Sequence, residues 1–161
     1  TKLDAENILI SQENVKSVCL RYFNVYGPKQ NPESQYAAVV PKFIKTMLEG
    51  NNPIIFGNGE QTRDFVFVKD VVNANILAMK SDITGRTFNI GSGERTTINM
   101  LAEKIMAIIG TDANPEHVDA RKGDIMHSVA DITSAALLGY KPTYDLLMGL
   151  KNTMGWIKVK K

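Results

Sequence analysis

Apolar positions along this chain follow two periods in turn, one helical and one alternating, and the changeovers fall at glycine, proline and small polar residues. Leu3, Ile8 and Leu9 are spaced for an amphipathic helix that begins without a capping residue. Residues 15–23 are dense in β-branched and aromatic side chains (Val15, Val18, Leu20, Tyr22, Phe23), stop at Tyr26-Gly27-Pro28, and read as a buried strand. A polar loop over 29–38 leads to Pro41, which suits a first helical turn ahead of Phe43, Ile44, Met47 and Leu48, with Gly50 as the exit. Strands are predicted over 53–56 and 65–68 around the Gly57-Asn58-Gly59 turn, and Asp70 is expected to cap a helix running to about Lys80. A strand over 87–90 and a Gly91-Ser92-Gly93 turn follow. Thr97 then caps a helix whose Ile98, Leu101, Ala102, Ile105, Ile108 and Ile109 share one face up to Gly110. A short strand over 117–119, a loop through Gly123, a helix over 131–138 closed by Gly139, and a helix over 144–157 complete the pattern. Leu146, Leu147, Leu150, Met154 and Trp156 are expected in the core. Strands alternating with helices predict an α/β fold with a partly parallel sheet.

Composition narrows this to one domain, since 161 residues with 43% apolar and 22% charged side chains can bury one real core. The 19 basic and 17 acidic residues are interspersed, so no basic stripe points to a nucleic acid; only the 158–161 tail is locally basic, as a solvated end is. A single cysteine, Cys19 between Val18 and Leu20, makes no internal disulfide and is expected as a buried thiol in the reducing cytoplasm. No apolar run reaches the ~20 residues of a membrane span, and residues 1–6 carry charge where a signal peptide is apolar. Opening in mid-pattern on Thr1, the chain is expected to continue a preceding segment.

Candidate chemistry lies on the loops. The two glycine pairs follow strands, where a dinucleotide fingerprint would stand, but Thr62 and Thr96 replace its third glycine, and plain tight turns account for them as well. Arg63, beside Asp64 at a strand mouth, and Arg121, ahead of Gly123-Asp124, suit a diphosphate because a guanidinium donates two parallel hydrogen bonds; an ion pair with Asp64 or another acid is the alternative for Arg63. Asp124 can accept from a ribose diol or start a turn. Asn24, at the end of a strand, offers an amide where α/β folds bind ligands, or serves as a turn former. Asp64 and Asp70 read as helix and strand-end caps. His117 and His127, ten residues apart without cysteine nearby, do not suggest a metal site.

Four strings occur in order across nearly all of the chain: Leu20-Arg21-Tyr22-Phe23-Asn24-Val25-Tyr26-Gly27-Pro28, Gly57-Asn58-Gly59-Glu60-Gln61-Thr62-Arg63-Asp64-Phe65, Phe88-Asn89-Ile90-Gly91-Ser92-Gly93-Glu94 and Arg121-Lys122-Gly123-Asp124. Together they resemble the extended short-chain dehydrogenase/reductase family, NAD-dependent epimerase/dehydratase type, in its UDP-glucose 4-epimerase branch. The resemblance implies the C-terminal part of a Rossmann-like NAD(P)-binding fold plus a smaller α/β substrate-binding lobe. Residues 1–28 would end the cofactor domain, and 29–161 would form mainly the lobe, with returning strands near 65–68 and 86–90. Thr1-Lys2-Leu3-Asp4-Ala5-Glu6-Asn7 resembles the end of the family's Y-x-x-x-K motif. Lys2 would then be the catalytic lysine that holds the nicotinamide ribose of NAD, and the tyrosine would stand three residues before Thr1, so this chain alone should not turn over. By the same resemblance Phe23 would lie by the nicotinamide, Asn24 would bind the sugar nucleotide, Arg63 and Arg121 would clamp its diphosphate, and Asp124 would hold its ribose. Val40, Phe43, Ile55 and Phe56 would line the base pocket, and a small Ser128 would leave room for an N-acetyl group on the sugar. The implied reaction is 4-epimerisation of a UDP-sugar, of the hexose or N-acetyl kind, in a homodimer. A 4,6-dehydratase or decarboxylase of the same family, or a non-catalytic nucleotide-sugar-binding fragment, is the alternative.

Overall fold

The computed structural model describes residues 1–12, 14–31, 33 and 38–159, so the expected 29–38 loop and the basic tail lie partly outside the described residues. Helix α1 (Lys2–Ile10) leads into β1 (Val18–Tyr22) and β2 (Asn24–Tyr26), followed by α2 (Val39–Leu48), β3 (Ile54–Phe56), β4 (Thr62–Arg63) and β5 (Phe65–Phe67). Then come α3 (Val68–Lys80), β6 (Arg86–Ile90), β7 (Thr96–Thr97), α4 (Ile98–Ile109), β8 (Glu116–Val118), a 3-10 turn (Thr133–Leu138) and α5 (Leu146–Val159). Pairing is parallel for β1 with β6, β2 with β5 and β3 with β8, and antiparallel for β4 with β7. This is the predicted α/β class.

The run over 15–23 is not one buried strand. It starts at Val18, and the chain changes partner after Tyr22: the Phe23 amide donates to Ile90 (3.0 Å), and the Asn24 amide donates to the Asp64 carbonyl (3.0 Å). Val15 is exposed and Cys19 only half-buried, because β1 is covered on one face by α1, a helix with no buried residue. Leu3, Ile8 and Leu9 of α1 are exposed, and Thr1 occupies the N-cap position that the sequence pattern did not reveal.

Side-chain alternation sorts the two faces of β1. Val18 and Leu20 join Phe88, Ile90, Val66, Val71, Ala74, Leu138 and Tyr140 in one apolar cluster on the α3 side, and Tyr22 donates its hydroxyl to Asn75 of α3 (2.9 Å). Arg21 turns the other way, to α1. A second cluster packs α2, α4 and α5 on β3 and β5 through Ile44, Ile55, Phe67, Leu101, Ile105 and Leu150.

Thr97 caps α4 as expected, its hydroxyl accepting from the Met100 amide (3.0 Å), and Gly110 ends it in the left-handed conformation. In α5 the inward face runs through Gly149, Leu150, Thr153 and Met154, which leaves the expected core residue Leu147 exposed. The segment expected as a helix over 131–138 is a 3-10 turn from Thr133, because Asp131 bends the chain by accepting from the Thr133 amide (3.0 Å) and Gly139 closes it.

Neither Asp64 nor Asp70 is a cap. Helix α3 begins at Val68, and Asp70, within its first turn and buried, accepts from the Thr143 amide (3.0 Å), the Thr143 hydroxyl (2.7 Å) and the Tyr144 amide (3.1 Å). Asp64 is wholly buried and accepts from the Ser92 amide and hydroxyl (both 2.7 Å), the Gly93 amide (2.9 Å) and the Ala130 amide (3.0 Å). A buried carboxylate requires such donors, and here loops distant in sequence supply them. Gly91 is demanded by this packing: a Cβ there would stand 2.6 Å from the Asp64 carboxylate and 2.5 Å from the Ala130 methyl.

Candidate functional site: two arginines near the strand ends

Arg63, on β4, is held from three sides. It donates to the Thr62 carbonyl (2.8 Å) and the Ile125 carbonyl (2.5 Å), and it forms an ion pair with Asp124. Of the two alternatives open in the sequence, an acid partner is therefore realised, and it is Asp124 rather than Asp64. The loop carrying Asp124 is laid against β4 by the Thr62 amide on the Met126 carbonyl (2.8 Å), the Ser128 amide on the Thr62 carbonyl (3.2 Å) and a Thr62 hydroxyl to His127 Nδ1 contact (3.2 Å). Arg63, Asp124 and Ser128 are thus neighbours despite their separation in sequence. The pair is partly solvated, so it contributes only about 1 kcal/mol or less, and a ligand with stronger acceptors can compete for the fork.

Arg121 follows β8 and lies over the ring of Phe56, at the end of the paired strand β3, with its guanidinium carbon 3.9 Å from the ring centroid. Strand alternation decides which neighbours share that surface. Ile54 and Phe56 point one way, exposed and half-buried, while Ile55 points into the core with Val40 and Phe43.

Asn24 is exposed at the partner switch, adjoining Arg63 through the bond of its amide to the Asp64 carbonyl, and Phe23 is half-buried beside it. Lys2 lies on α1, which packs beside β1. Leu9 accepts from the Ser17 hydroxyl (3.0 Å) near the start of β1, whereas Glu6 meets Arg21 near its end, so helix and strand run antiparallel. One further helical turn, ~5.4 Å, matches roughly two strand residues at ~3.3 Å each, which carries Lys2 toward the Phe23 end of β1. The structure places Phe23 and Asn24 at the carboxyl ends of parallel strands, where α/β folds bind ligands, docks the loop of Arg121, Asp124 and Ser128 beside Arg63 and Phe56, and buries Val40, Phe43 and Ile55. His117 Nδ1 lies 2.8 Å from the Gly57 carbonyl, and among the described residues no three His, Cys, Asp or Glu side chains are grouped to hold a metal ion. No helix described is long and apolar enough to cross a membrane.

The geometry has close counterparts. A UDP-glucose 4-epimerase from Thermotoga maritima, solved with UDP-glucose, superposes with a TM-score of 0.94 at 41% identity, over 99% of this chain and 52% of that one. A UDP-N-acetylglucosamine 4-epimerase from Methanobrevibacter ruminantium, solved with UDP-N-acetylmuramic acid, gives 0.91 at 41% identity, over 99% and 51%. A putative UDP-glucose 4-epimerase of Methanocaldococcus jannaschii is 41% identical over 146 residues, 89% of this chain and 46% of that protein, so the chain spans about half the length of the relatives it matches. Residues 1–91 match the model of the NAD dependent epimerase/dehydratase family, a stretch that contains the Lys2 helix, the partner switch at Phe23 and the Arg63 strand. On that match, with the parallel strand pairing and the motif order agreeing, the chain belongs to the NAD-dependent epimerase/dehydratase family.

Proposed function

We propose that this chain supplies the sugar-nucleotide site and the catalytic lysine of an NAD-dependent 4-epimerase acting on UDP-sugars. The observation that supports this reading is the loop carrying Asp124 and Ser128 docked on β4 beside Arg63, with Arg121 of the same loop lying over the Phe56 ring. Arg63 and Arg121 bind the diphosphate, Asp124 steadies Arg63 and accepts from the ribose, and Asn24 binds the sugar side of the nucleotide. Ile54 and Phe56 give the uracil an apolar face, with Val40, Phe43 and Ile55 as the packed support beneath.

The residue types suit the nicotinamide end of NAD: an ammonium at Lys2, on a helix antiparallel to β1, and an aromatic ring at Phe23, just past the end of that strand. Bound there, NAD would accept a hydride from the sugar's C4 and return it to the other face. Lys2 would hold the nicotinamide ribose, and its ammonium beside the family's tyrosine would favour the ionised form that takes the proton of the 4-hydroxyl. Residues 1–28 are read as the end of the cofactor domain and 29–161 as mainly the substrate lobe. The exposed Leu3, Ile8 and Leu9 of α1 supply apolar surface for a homodimer of the whole cytoplasmic enzyme.

Calorimetric titration with UDP, UDP-glucose and UDP-N-acetylglucosamine tests the site. Arg63→Ala and Arg121→Ala are each expected to weaken binding by roughly 10- to 100-fold, the value of a charge-assisted hydrogen bond. Undiminished affinity in both variants would remove the diphosphate from these arginines. Ser128, half-buried and bonded through its amide to Thr62, is read as the small residue beside the sugar's 2-substituent. Ser128→Tyr should lower affinity for UDP-N-acetylglucosamine at least ~10-fold, a volume effect of the size pockets show, and spare UDP-glucose. Equal effects on the two ligands would sink that assignment.

A further inference from the structure

Helix α1 carries Lys2, and none of its residues is buried against the rest of this chain, so apolar packing on β1 and β6 does not hold it. Its hold on the sheet is polar. Arg21 of β1 grips the Glu6 carboxylate with Nε (2.9 Å) and a terminal nitrogen (2.6 Å), and the Thr87 hydroxyl of β6 donates to the same carboxylate (3.0 Å). Nearer the other end of the helix, the Ser17 hydroxyl holds the Leu9 carbonyl (3.0 Å). Glu6 therefore bridges two adjacent strands, and its side chain keeps only 14% of its exposure.

Lys2 and Glu6 are one helical turn apart, i and i+4, and so project from the same face of α1. Fixing the Glu6 carboxylate against two strands sets both the rotation of α1 about its axis and its place along β1. Those two quantities determine where the Lys2 ammonium stands relative to Phe23. A single hydrogen bond would leave the helix free to roll; a bidentate pair with a third donor on the next strand does not. The Arg21 guanidinium also holds the Glu6 carboxyl below its ordinary range, so the bridge keeps its charge in mildly acidic solution.

We infer that Glu6, gripped by Arg21 and Thr87, is a positioning residue that sets the place of Lys2 at the strand ends. The inference rests on the role proposed for Lys2, but the placement is measurable without it. In a Cys19→Ser background, nitroxide labels at Lys2→Cys and at Asn73→Cys, exposed on α3 across the sheet, report the position of the helix end through the distribution of their separation. Glu6→Gln and Arg21→Ala are expected to broaden that distribution at least about two-fold, because the bidentate bridge is lost in each. The exchanged pair Glu6→Arg with Arg21→Glu is expected to narrow it again. A purely structural part for Glu6 would shift the unfolding midpoint and leave the distribution unchanged, and an unchanged distribution in both single variants overturns the inference. NAD, titrated into the same proteins carrying native Lys2, reads the proposed role separately. Weaker NAD binding in the broadened variants upholds both statements, while NAD binding unaltered beside broadened distributions leaves the positioning intact and removes the cofactor role from Lys2.

Discussion

Asp64→Ala is expected to cost about 3–4 kcal/mol of folding stability, read as a loss of roughly 10 °C in thermal unfolding followed by circular dichroism. The carboxylate gathers four donors from two loops, and each buried donor stranded by its removal costs ~1–3 kcal/mol. Ser92 is half-buried and Gly93 exposed, so water recovers part of that cost, but the Ala130 amide has no such recourse. Asp64→Asn should recover little. Both oxygens accept from two donors each, so an amide nitrogen in either place faces hydrogens instead of receiving them. Because Asp64 adjoins Arg63 and ties down the residue two positions after Ser128, both variants should also weaken UDP binding. A stability loss below about 1 kcal/mol would show that the donors find other partners.

Gly149→Ala gives the second large effect, about 2 kcal/mol of destabilisation, against the ~1 kcal/mol that the same change contributes favourably in an exposed helix. A Cβ at this position would stand 2.0 Å from the Tyr26 hydroxyl and 2.7 Å from the ring carbon bearing it, with Phe67 at 3.0 Å. Tyr26 cannot withdraw, since it is 2% exposed, packs edge-on against Phe65, and donates to the Leu146 carbonyl (3.2 Å). Tyr26→Phe removes the nearest of these atoms, so the double variant should lose less stability than the sum of the two single ones. Strict additivity in denaturant unfolding would mean that the helix shifts instead of the ring resisting.

Much of this architecture was legible in the sequence where the signal is local. The α4 stripe with Thr97 before it and Gly110 after it, and the Pro41 turn ahead of Phe43 and Ile44, are written in adjacent residues, and the structure places those elements accordingly. What periodicity does not carry is the identity of a partner. Alternation over 15–23 gives the faces of a strand and cannot say that Tyr22 ends pairing with β6 while Asn24 begins pairing with β5. Asp64 and Asp70 have the local look of caps, and their true donors lie some 28 to 74 residues away.

The site divides in the same way. Arginines on loops were recognisable as candidates by their chemistry, but the Arg63 to Asp124 pair spans 61 positions and depends on the loop docking on β4. Val40, Phe43 and Ile55 look alike, as apolar residues, whether they line a pocket or fill a core. Only the alternation of β3 and the inward face of α2 separate them from Ile54 and Phe56.

The change of partner at Phe23 makes one peptide bond a ruler. The residue on its amino side is tied to Ile90 and the residue on its carboxyl side to Asp64, so two separately anchored strand pairs meet with no slack between them. In the proposed roles that single step, ~3.3 Å, spaces the nicotinamide neighbour from the sugar-nucleotide ligand. Inserting one residue here would lengthen the step and reverse every following side chain of β2 to the opposite face. An engineer seeking to alter the reach of the site would therefore leave this joint at its present length and vary the loop that carries Arg121 and Asp124, whose attachment to β4 is made of a few replaceable hydrogen bonds.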